Sequence, residues 1–194
     1  MCVSEDWYIN DEITTAKLDG YRLVEHFSRR DHSHGGVAIF CKEDSDVDAE
    51  PIEEISKMSV KMNFECAAIK FKSSIYKVII ACIYRSSSTG DFNIFVEKFE
   101  LLLNKLSKYS NSHNVVICED FNVNFLEETR DRTYICDILG SYYFKPIIDQ
   151  PTRGPNCLDN ICISCDTDQY DAKVIPVGWS DHAATVLSLN KQSK

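Results

Sequence analysis

Acidic, amide and imidazole side chains directly adjoin two apolar stretches of this 194-residue sequence. Residues 115–118 form an apolar run that leads into Asp120 and Asn122, and Asp181 with His182 stands immediately before a second apolar run. Side chains at the end of a strand project past the sheet edge, where several of them can converge. Carboxylates and an imidazole that converge suit metal-assisted cleavage of a phosphodiester bond. The pattern therefore indicates a nuclease.

Three more polar residues occupy comparable positions beside apolar runs, namely Glu5, Tyr84 and Asp159. Each position has an ordinary structural explanation when it is taken alone. Glu5 could belong to a frayed terminus, Asp159 could form an Asx turn and His182 could be a surface histidine. Five such positions, counting Asp120 with Asn122 and Asp181 with His182 as one each, favour a shared functional cluster.

Other enzyme classes fit the sequence less well. Ser180, Asp181 and His182 are triad residue types, but neighbours in sequence do not stack as nucleophile, base and orienter, and no serine lies in a nucleophile elbow. None of the nine cysteines stands out as a nucleophile, and no glycine-rich loop is present to hold phosphates. Cys162 and Cys165 form a CxxC, yet residues three apart on a strand face opposite sides, which disfavours a zinc site.

The composition predicts one intracellular domain over residues 1–194. The chain is 44% hydrophobic, enough for one substantial core, and it contains no apolar run of membrane-spanning length. Residues 1–7 lack the basic flank and apolar stretch of a secretory signal, and the odd cysteine count favours a reducing compartment. We therefore expect a nuclear or cytoplasmic protein that is not secreted and does not bind membranes.

The net charge of −9 bears on the substrate. Proteins that grip DNA tightly usually present a basic surface, so this acidity predicts a transient contact with nucleic acid. Much of the imbalance comes from residues 43–54, which contain seven acidic side chains and no Lys or Arg. This segment is predicted to be a solvated loop.

Periodicity and turn residues predict a mixed chain in which strands predominate. A helix is expected after the N-cap Asp91, and a second helix over residues 129–139 ends at Gly140. Residues 64–71 and 76–84 are expected to form a hairpin. The other predicted strands cover residues 37–41, 114–118, 158–164, 172–177 and 183–189.

Six short motifs follow one another along the chain. They are Ser4-Glu5-Asp6-Trp7, His34-Gly35-Gly36-Val37-Ala38-Ile39, Ile83-Tyr84-Arg85, Asp120-Phe121-Asn122, Leu158-Asp159-Asn160-Ile161 and Ser180-Asp181-His182. Their order and approximate spacing resemble the endonuclease/exonuclease/phosphatase superfamily, most closely the endonuclease domain of non-LTR retrotransposons. The resemblance covers nearly the whole chain. It implies an α/β (α+β) fold, a four-layer sandwich of two β-sheets flanked by helices with the active site at one end.

The resemblance also implies a metal site and an attacking water. Glu5 matches the carboxylate that binds the catalytic Mg²⁺, which Mn²⁺ can replace, and Asp181 would assist metal binding. Asp120 matches the residue that orients or deprotonates the attacking water, and Asn122 helps to position the phosphate. The expected substrate is DNA.

Three further roles by resemblance concern the phosphate. His182 would bind the scissile phosphate and stabilise charge in the transition state, while Asp159 fixes its ring and protonation. Tyr84 resembles the tyrosine that contacts the phosphate or the leaving oxygen. An imidazole paired with a carboxylate is held ready to hydrogen-bond a phosphate near neutral pH, which supports this assignment independently.

The sequence departs from the family pattern in three ways. It begins at the glutamate-bearing strand, so we expect an N-terminally incomplete domain without the family's first strand, its asparagine and the following helix. An uncovered sheet edge would then be open to a partner. Glu119 replaces the usual glycine, which adds charge and costs about 1 kcal/mol if the backbone there is left-handed. No reverse-transcriptase segment is present.

Two alternatives therefore remain: an inactive remnant with a binding role, and a phosphatase for a small phosphoester.

Overall fold

The computed structural model describes residues 1–8, 12–15, 17–31, 34–87, 90–164 and 170–189. Eleven strands and three α-helices are formed within these ranges, together with a short 3-10 helix at Glu12–Thr15. The helices are α1 (Glu53–Ser56), α2 (Phe92–Ser107) and α3 (Arg130–Ser141). The strands are β1 (Cys2–Ser4), β2 (Tyr21–Phe27), β3 (Val37–Lys42), β4 (Ala49–Pro51), β5 (Glu65–Phe71), β6 (Val78–Tyr84), β7 (Asn114–Asp120), β8 (Lys145–Pro146), β9 (Asp159–Ile163), β10 (Tyr170–Ile175) and β11 (Ala184–Leu189).

A six-stranded sheet in the order β4-β5-β6-β7-β9-β8 forms the centre of the fold. Strands β6 and β7 are parallel, and β9 pairs antiparallel with β7. Helices α2 and α3 cover one face of this sheet, because their apolar side chains recur every three or four residues. Asp91 caps α2 by accepting from the Asn93 amide at 2.8 Å, as predicted, and Thr129 caps α3 in the same way.

The small sheet β1-β3-β2 packs on the opposite face of the large one. Val37 and Ile39 of β3 contact a buried layer that includes Ala67, Ile69 and Tyr84 of the large sheet. The 3-10 helix covers the outer side of the small sheet, where its buried Ile13 belongs to a separate cluster. The order of layers is thus helix, sheet, sheet, helix, and the predicted sandwich of sheets with flanking helices is confirmed.

Strands β10 and β11 form a separate antiparallel pair that packs beside β9. Strand β1 pairs only with β3, and β11 only with β10, within the described part of the chain. Both strands therefore present an outer edge with unpaired backbone groups. That a partner occupies such an edge stays a prediction.

The predicted strands and the two predicted helices are all found, but the structure also contains elements that were not predicted, among them β8 and the 3-10 helix. Strand β2 was not predicted, because its sequence YRLVEHF mixes apolar and charged residues and all seven are only half-buried. The acidic segment is not simply a loop, since it contains β4 and the first two residues of α1. Helix α3 continues past Gly140 to Ser141, and the left-handed residue that follows it is Tyr143, with φ of 63°.

The described cysteines carry free thiols, and Cys162 lies buried in the core. Its CxxC neighbour Cys165 is outside the described residues. Among the described residues there is no helix with the length and apolarity required to pass through a membrane.

Candidate active site

Three polar side chains stand in one row across the large sheet. Tyr84 on β6 is the register partner of Asp120 on β7, and Asp120 is in turn the partner of Asp159 on β9. Directly paired residues project from the same face of a sheet. This face looks toward the small sheet, because Tyr84 packs against it. The pairing therefore brings residues that are 36 and 39 positions apart to one end of the sandwich.

A tight turn after β7 holds Asp120 in place. The Asn122 amide donates to Oδ1 of Asp120 at 3.0 Å, and Asn122 itself is left-handed, with φ of 51°. The buried Arg85 guanidinium donates to the carbonyl oxygens of Phe121 and Asn122, and Asn122 Nδ2 donates back to the Arg85 carbonyl at 2.8 Å. One N–H of the Asn122 carboxamide is thus committed to this clamp.

His182 joins the row at its β9 end. Its Nδ1 lies 2.8 Å from Oδ2 of Asp159, and its amide donates to Ser180 Oγ at 3.1 Å. The buried Thr152 hydroxyl oxygen accepts from the Leu158 and Asp159 amides, so the backbone that carries Asp159 is fixed as well. The imidazole is therefore oriented through a carboxylate that is itself anchored.

Glu5 joins the row at its β6 end. The Tyr84 hydroxyl donates to Oε1 of Glu5, which is an exposed residue with φ of 52°. The Glu5 amide donates to the Gly36 carbonyl at 3.0 Å. At Gly36 φ is 90°, and a Cβ there would lie 2.5 Å from Oδ1 of Asp6. Only glycine allows this close approach.

A buried ion pair supports the Gly35-Gly36 turn. Glu65 is fully buried and accepts from Arg29 Nε at 2.6 Å, from the Gly36 amide at 2.7 Å and from the Met62 amide at 2.7 Å. A buried carboxylate is stable only when it is paired and hydrogen-bonded in this way. The pair has a structural role in holding the turn against which Glu5 is placed.

The environment of the row changes the proton affinities of its members. Burial, followed by the charge of Asp159, raises the pKa of Asp120 to about 7. The hydrogen bond that His182 makes to the Asp159 carboxylate raises the pKa of the imidazole above its usual 6.5. Burial and then the bond to Glu5 raise the pKa of the Tyr84 hydroxyl, so it stays protonated at physiological pH. A carboxyl that ionises near neutrality thus lies beside an imidazole that favours its protonated form.

One group of ligand atoms is close enough to share a cation. Atoms of Asp120, Asp159 and His182 all lie within 4.8 Å of one another. Glu5 is not in this group, although its charge contributes to the raised pKa of Asp120. Asp181 is also outside it, because its exposed carboxylate pairs with Arg153 at 2.6 Å, which lowers its pKa. A metal-binding role for Asp181 stays a prediction.

Glu119 does not have the effect that the sequence pattern led us to expect. It lies on β7 with a negative φ, so no left-handed penalty arises. Successive strand residues face opposite sides, and Glu119 points away from Asp120 into the core, where the Cys162 thiol lies 2.8 Å from Oε1. Burial raises the pKa of Glu119 well above its usual value. Its carboxyl is therefore directed into the core, away from the face that carries Asp120.

Sequence reasoning gave no role to Arg85, Thr152 or Glu65. Each is a buried polar residue that fixes the backbone of a loop next to the site. Arg85 belongs to the Ile83-Tyr84-Arg85 motif, which gave a weak signal for it. Thr152 stands between Pro151 and the turn residue Gly154, and this turn composition gave a weak signal for Thr152. Glu65 gave none, because its partners are distant in sequence.

No protein-family model and no curated protein matches the sequence. Solved structures do match it, among them the endonuclease domain of TRAS1, a telomere-specific non-LTR retrotransposon, with 16% identity, a TM-score of 0.68 and coverage of 91% of this chain and 83% of that one. D. rerio TDP2 complexed with single-strand DNA product matches at 12% identity and a TM-score of 0.59, covering 94% and 82% of the two chains. The mannosyl-6-phosphatase Bt3783 of Bacteroides thetaiotaomicron matches at 12% identity and a TM-score of 0.57, covering 92% and 80%.

These likenesses concern the backbone, since the identities are low. They extend over nearly the whole chain and include proteins whose names contain endonuclease and phosphatase. The same fold is shared by bacterial endonuclease/exonuclease/phosphatase family proteins. The chain therefore has the fold of the endonuclease/exonuclease/phosphatase superfamily.

Proposed function

We propose that this chain hydrolyses phosphodiester bonds in DNA as a divalent-cation-dependent endonuclease. The observation that carries the proposal is the convergence of Asp120, Asp159 and His182 within 4.8 Å at one end of the sandwich. A structural role alone gives no reason to crowd two carboxylates there, because the crowding raises the pKa of Asp120 and so opposes its ionisation. Perturbed acids that cluster in this way are typical of functional sites.

The residues present fit a hard divalent cation. Glu5 lies outside the group of Asp120, Asp159 and His182, but its charge acts on Asp120, and these two carboxylates together would hold Mg²⁺ or Mn²⁺, since such ions take oxygen ligands and keep several waters. When bound, the ion would supply positive charge to the phosphoryl oxygens and acidify a bound water. The Tyr84 hydroxyl keeps one Glu5 oxygen oriented. The mutual repulsion of the Glu5, Asp120 and Asp159 carboxylates would be relieved by a bound cation, which favours its binding.

Asp120 and His182 would divide the proton transfers between them. A carboxyl with a pKa of about 7 is part-ionised at neutral pH and suits a general base that takes a proton from the attacking water. His182, held through Nδ1 by Asp159, keeps its Nε2 side for a phosphoryl oxygen, and its raised pKa favours the donating form. Preorganised donors of this kind stabilise charge that develops in the transition state.

Asn122 and Tyr84 would position the reacting groups. The backbone N–H of Asn122 orients Asp120. The second N–H of the Asn122 side-chain carboxamide, which the Arg85 carbonyl does not use, is a candidate donor to the phosphate. Tyr84 would act as a neutral donor toward the phosphate or the leaving oxygen, because its hydroxyl stays protonated. A nucleic-acid substrate agrees with the nuclear or cytoplasmic location predicted from the sequence.

The phosphatase alternative is supported by the likeness to a mannosyl-6-phosphatase. The endonuclease proposal is favoured by the higher TM-score of the TRAS1 endonuclease domain and by the TDP2 structure with single-strand DNA. A comparison of three substrates, each with Mg²⁺ and with EDTA, separates the alternatives: supercoiled plasmid, bis(p-nitrophenyl) phosphate and p-nitrophenyl phosphate. The proposal predicts Mg²⁺-dependent cleavage of the two diesters. Cleavage of the monoester alone would favour the phosphatase, and no cleavage at all would favour the inactive remnant.

A further inference from the structure

Both tryptophans of the chain are exposed. Trp7 and Trp179 are the only two in the sequence, and their side chains are 57% and 86% exposed. Tryptophan is highly buried on average, since its indole contributes more apolar surface than other side chains. Exposure of both indoles therefore calls for a reason in the surroundings that they share.

The two tryptophans belong to segments that reach opposite ends of the polar row. Trp7 comes two residues after Glu5, which is bonded to Tyr84 on β6, whereas Trp179 comes three residues before His182, which is bonded to Asp159 on β9. Strands β6, β7 and β9 are adjacent, so the row spans two strand spacings, roughly 10 Å. The candidate scissile phosphate would thus lie between the two indoles.

Trp7 is held in its exposed position by the fold. Its φ of 62° is left-handed, which is rare for a bulky residue and persists only when neighbours fix it. The Trp7 amide donates to the Gly35 carbonyl at 3.2 Å, and the indole meets the His34 ring edge-on at 4.4 Å. A held aromatic ring with a free face loses little conformational entropy when a flat ligand stacks on it.

Trp179 stands beside a groove next to His182. Loop residues on both sides of Trp179 line this groove together with the segment around Thr152. The Arg153 guanidinium, next to the lining residue Thr152, is paired with the Asp181 carboxylate at 2.6 Å. The exposed Trp179 indole thus belongs to the same loop as Ser180, Asp181 and His182, which line the groove.

We propose that Trp7 and Trp179 stack on unpaired bases on the two sides of the scissile phosphate, so that the substrate is single-stranded or locally unpaired nucleic acid. The inference rests on the proposed function for the position of that phosphate. A chain with net charge −9 has little capacity to hold a duplex through its phosphates. Base stacking on aromatic rings supplies affinity without that charge, and it requires bases that are free of their partners.

Fluorescence tests the stacking directly, because Trp7 and Trp179 are the only tryptophans in the sequence and therefore the source of its indole emission. The probes are a short single-stranded oligodeoxynucleotide and an abasic strand of the same length, titrated with Mg²⁺ into the Asp120→Asn variant, which is expected not to cleave them. We expect the oligonucleotide, but not the abasic strand, to quench the emission. Trp7→Ala and Trp179→Ala should each weaken its binding roughly 10-fold or more, and Trp179→Phe should restore most of the loss. Tyr143→Ala, which removes a ring that is 87% exposed and follows the C-terminal end of α3, is the matched control.

Equal quenching by both strands, or unchanged affinity in both alanine variants, would overturn the stacking proposal. Cleavage of the two strands by the wild-type chain separates this failure from that of the proposed function. If the abasic strand is cleaved and the bases do not stack, the proposed phosphodiesterase activity is kept and only the stacking proposal fails. If neither strand is cleaved, the endonuclease proposal fails, and the quenching result still decides whether the tryptophans bind bases.

Discussion

Replacing Asp120 with Asn should stabilise the metal-free protein while it removes activity. The carboxyl of Asp120 is 3% exposed and has a pKa of about 7, against 3.8 for an ordinary Asp. Because the folded-state pKa is the higher one, the unfolded chain releases this proton first as the pH rises from about 4 to about 7. Stability therefore falls over that window and stays reduced above it. A shift of about three units corresponds to at most about 4 kcal/mol.

Asn at this position carries no charge, and its Oδ1 can still accept from the Asn122 amide. The penalty should then vanish, and the variant should melt above the wild type at pH 8 by up to about 8–16 °C, since 1 kcal/mol moves Tm by about 2–4 °C in a chain of this length. Thermal unfolding followed by circular dichroism in EDTA, from pH 8 down to pH 4, measures the difference. Asp137→Asn, on the exposed face of α3, is the control. A variant that is no more stable than the wild type at pH 8, or a gap that does not narrow toward pH 4, would refute the reasoning.

Four other substitutions have distinct expected outcomes. His182→Ala should lower kcat for DNA nicking about 100-fold or more, because it removes the phosphate donor. Asp159→Asn removes the partner that raises the pKa of His182, so the alkaline limb of the pH–rate profile should move to lower pH. Glu119→Gln should leave nicking within about 2-fold and raise the melting temperature at pH 8, since it replaces a buried acid whose pKa burial raises and which is therefore costly to ionise. Gly36→Ala should cost about 1–2 kcal/mol and reduce nicking, because its Cβ meets the Asp6 carboxylate at a left-handed φ.

Each of these outcomes can fail in a recognisable way. Full activity in His182→Ala would remove the proposed phosphate contact, and an unmoved pH profile in Asp159→Asn would separate the carboxylate from the imidazole. A large activity change in Glu119→Gln would mean that this side chain influences the site after all. A Gly36→Ala protein with wild-type Tm and rate would show that the turn is more adaptable than its packing indicates.

The fold and the polar row could be predicted from the sequence to different degrees. Apolar runs such as the one within residues 114–118 identify strands, because a strand that is buried on both faces needs apolar side chains at successive positions. The short motifs then implied which strand ends meet. The register that pairs Tyr84, Asp120 and Asp159 depends on contacts between distant segments, and no local pattern specifies it.

The orientation of Glu119 shows where local pattern reasoning ends. From the sequence pattern we expected Glu119 to add negative charge next to Asp120. Only the strand geometry, with β7 continuing through Asp120, puts the two side chains on opposite faces. The supporting residues were hidden for a similar reason, since Glu65 meets Arg29 and Gly36 only after the two sheets pack.

The rate of plasmid nicking as a function of Mg²⁺ concentration tests the central claim most directly. The wild-type chain should nick DNA with Mg²⁺ and not with EDTA. Glu5→Gln should need a substantially higher Mg²⁺ concentration to reach half its maximal rate, whereas His182→Ala should stay slow at every concentration. Nicking that persists in EDTA, or a Mg²⁺ dependence that Glu5→Gln leaves unchanged, would contradict the account.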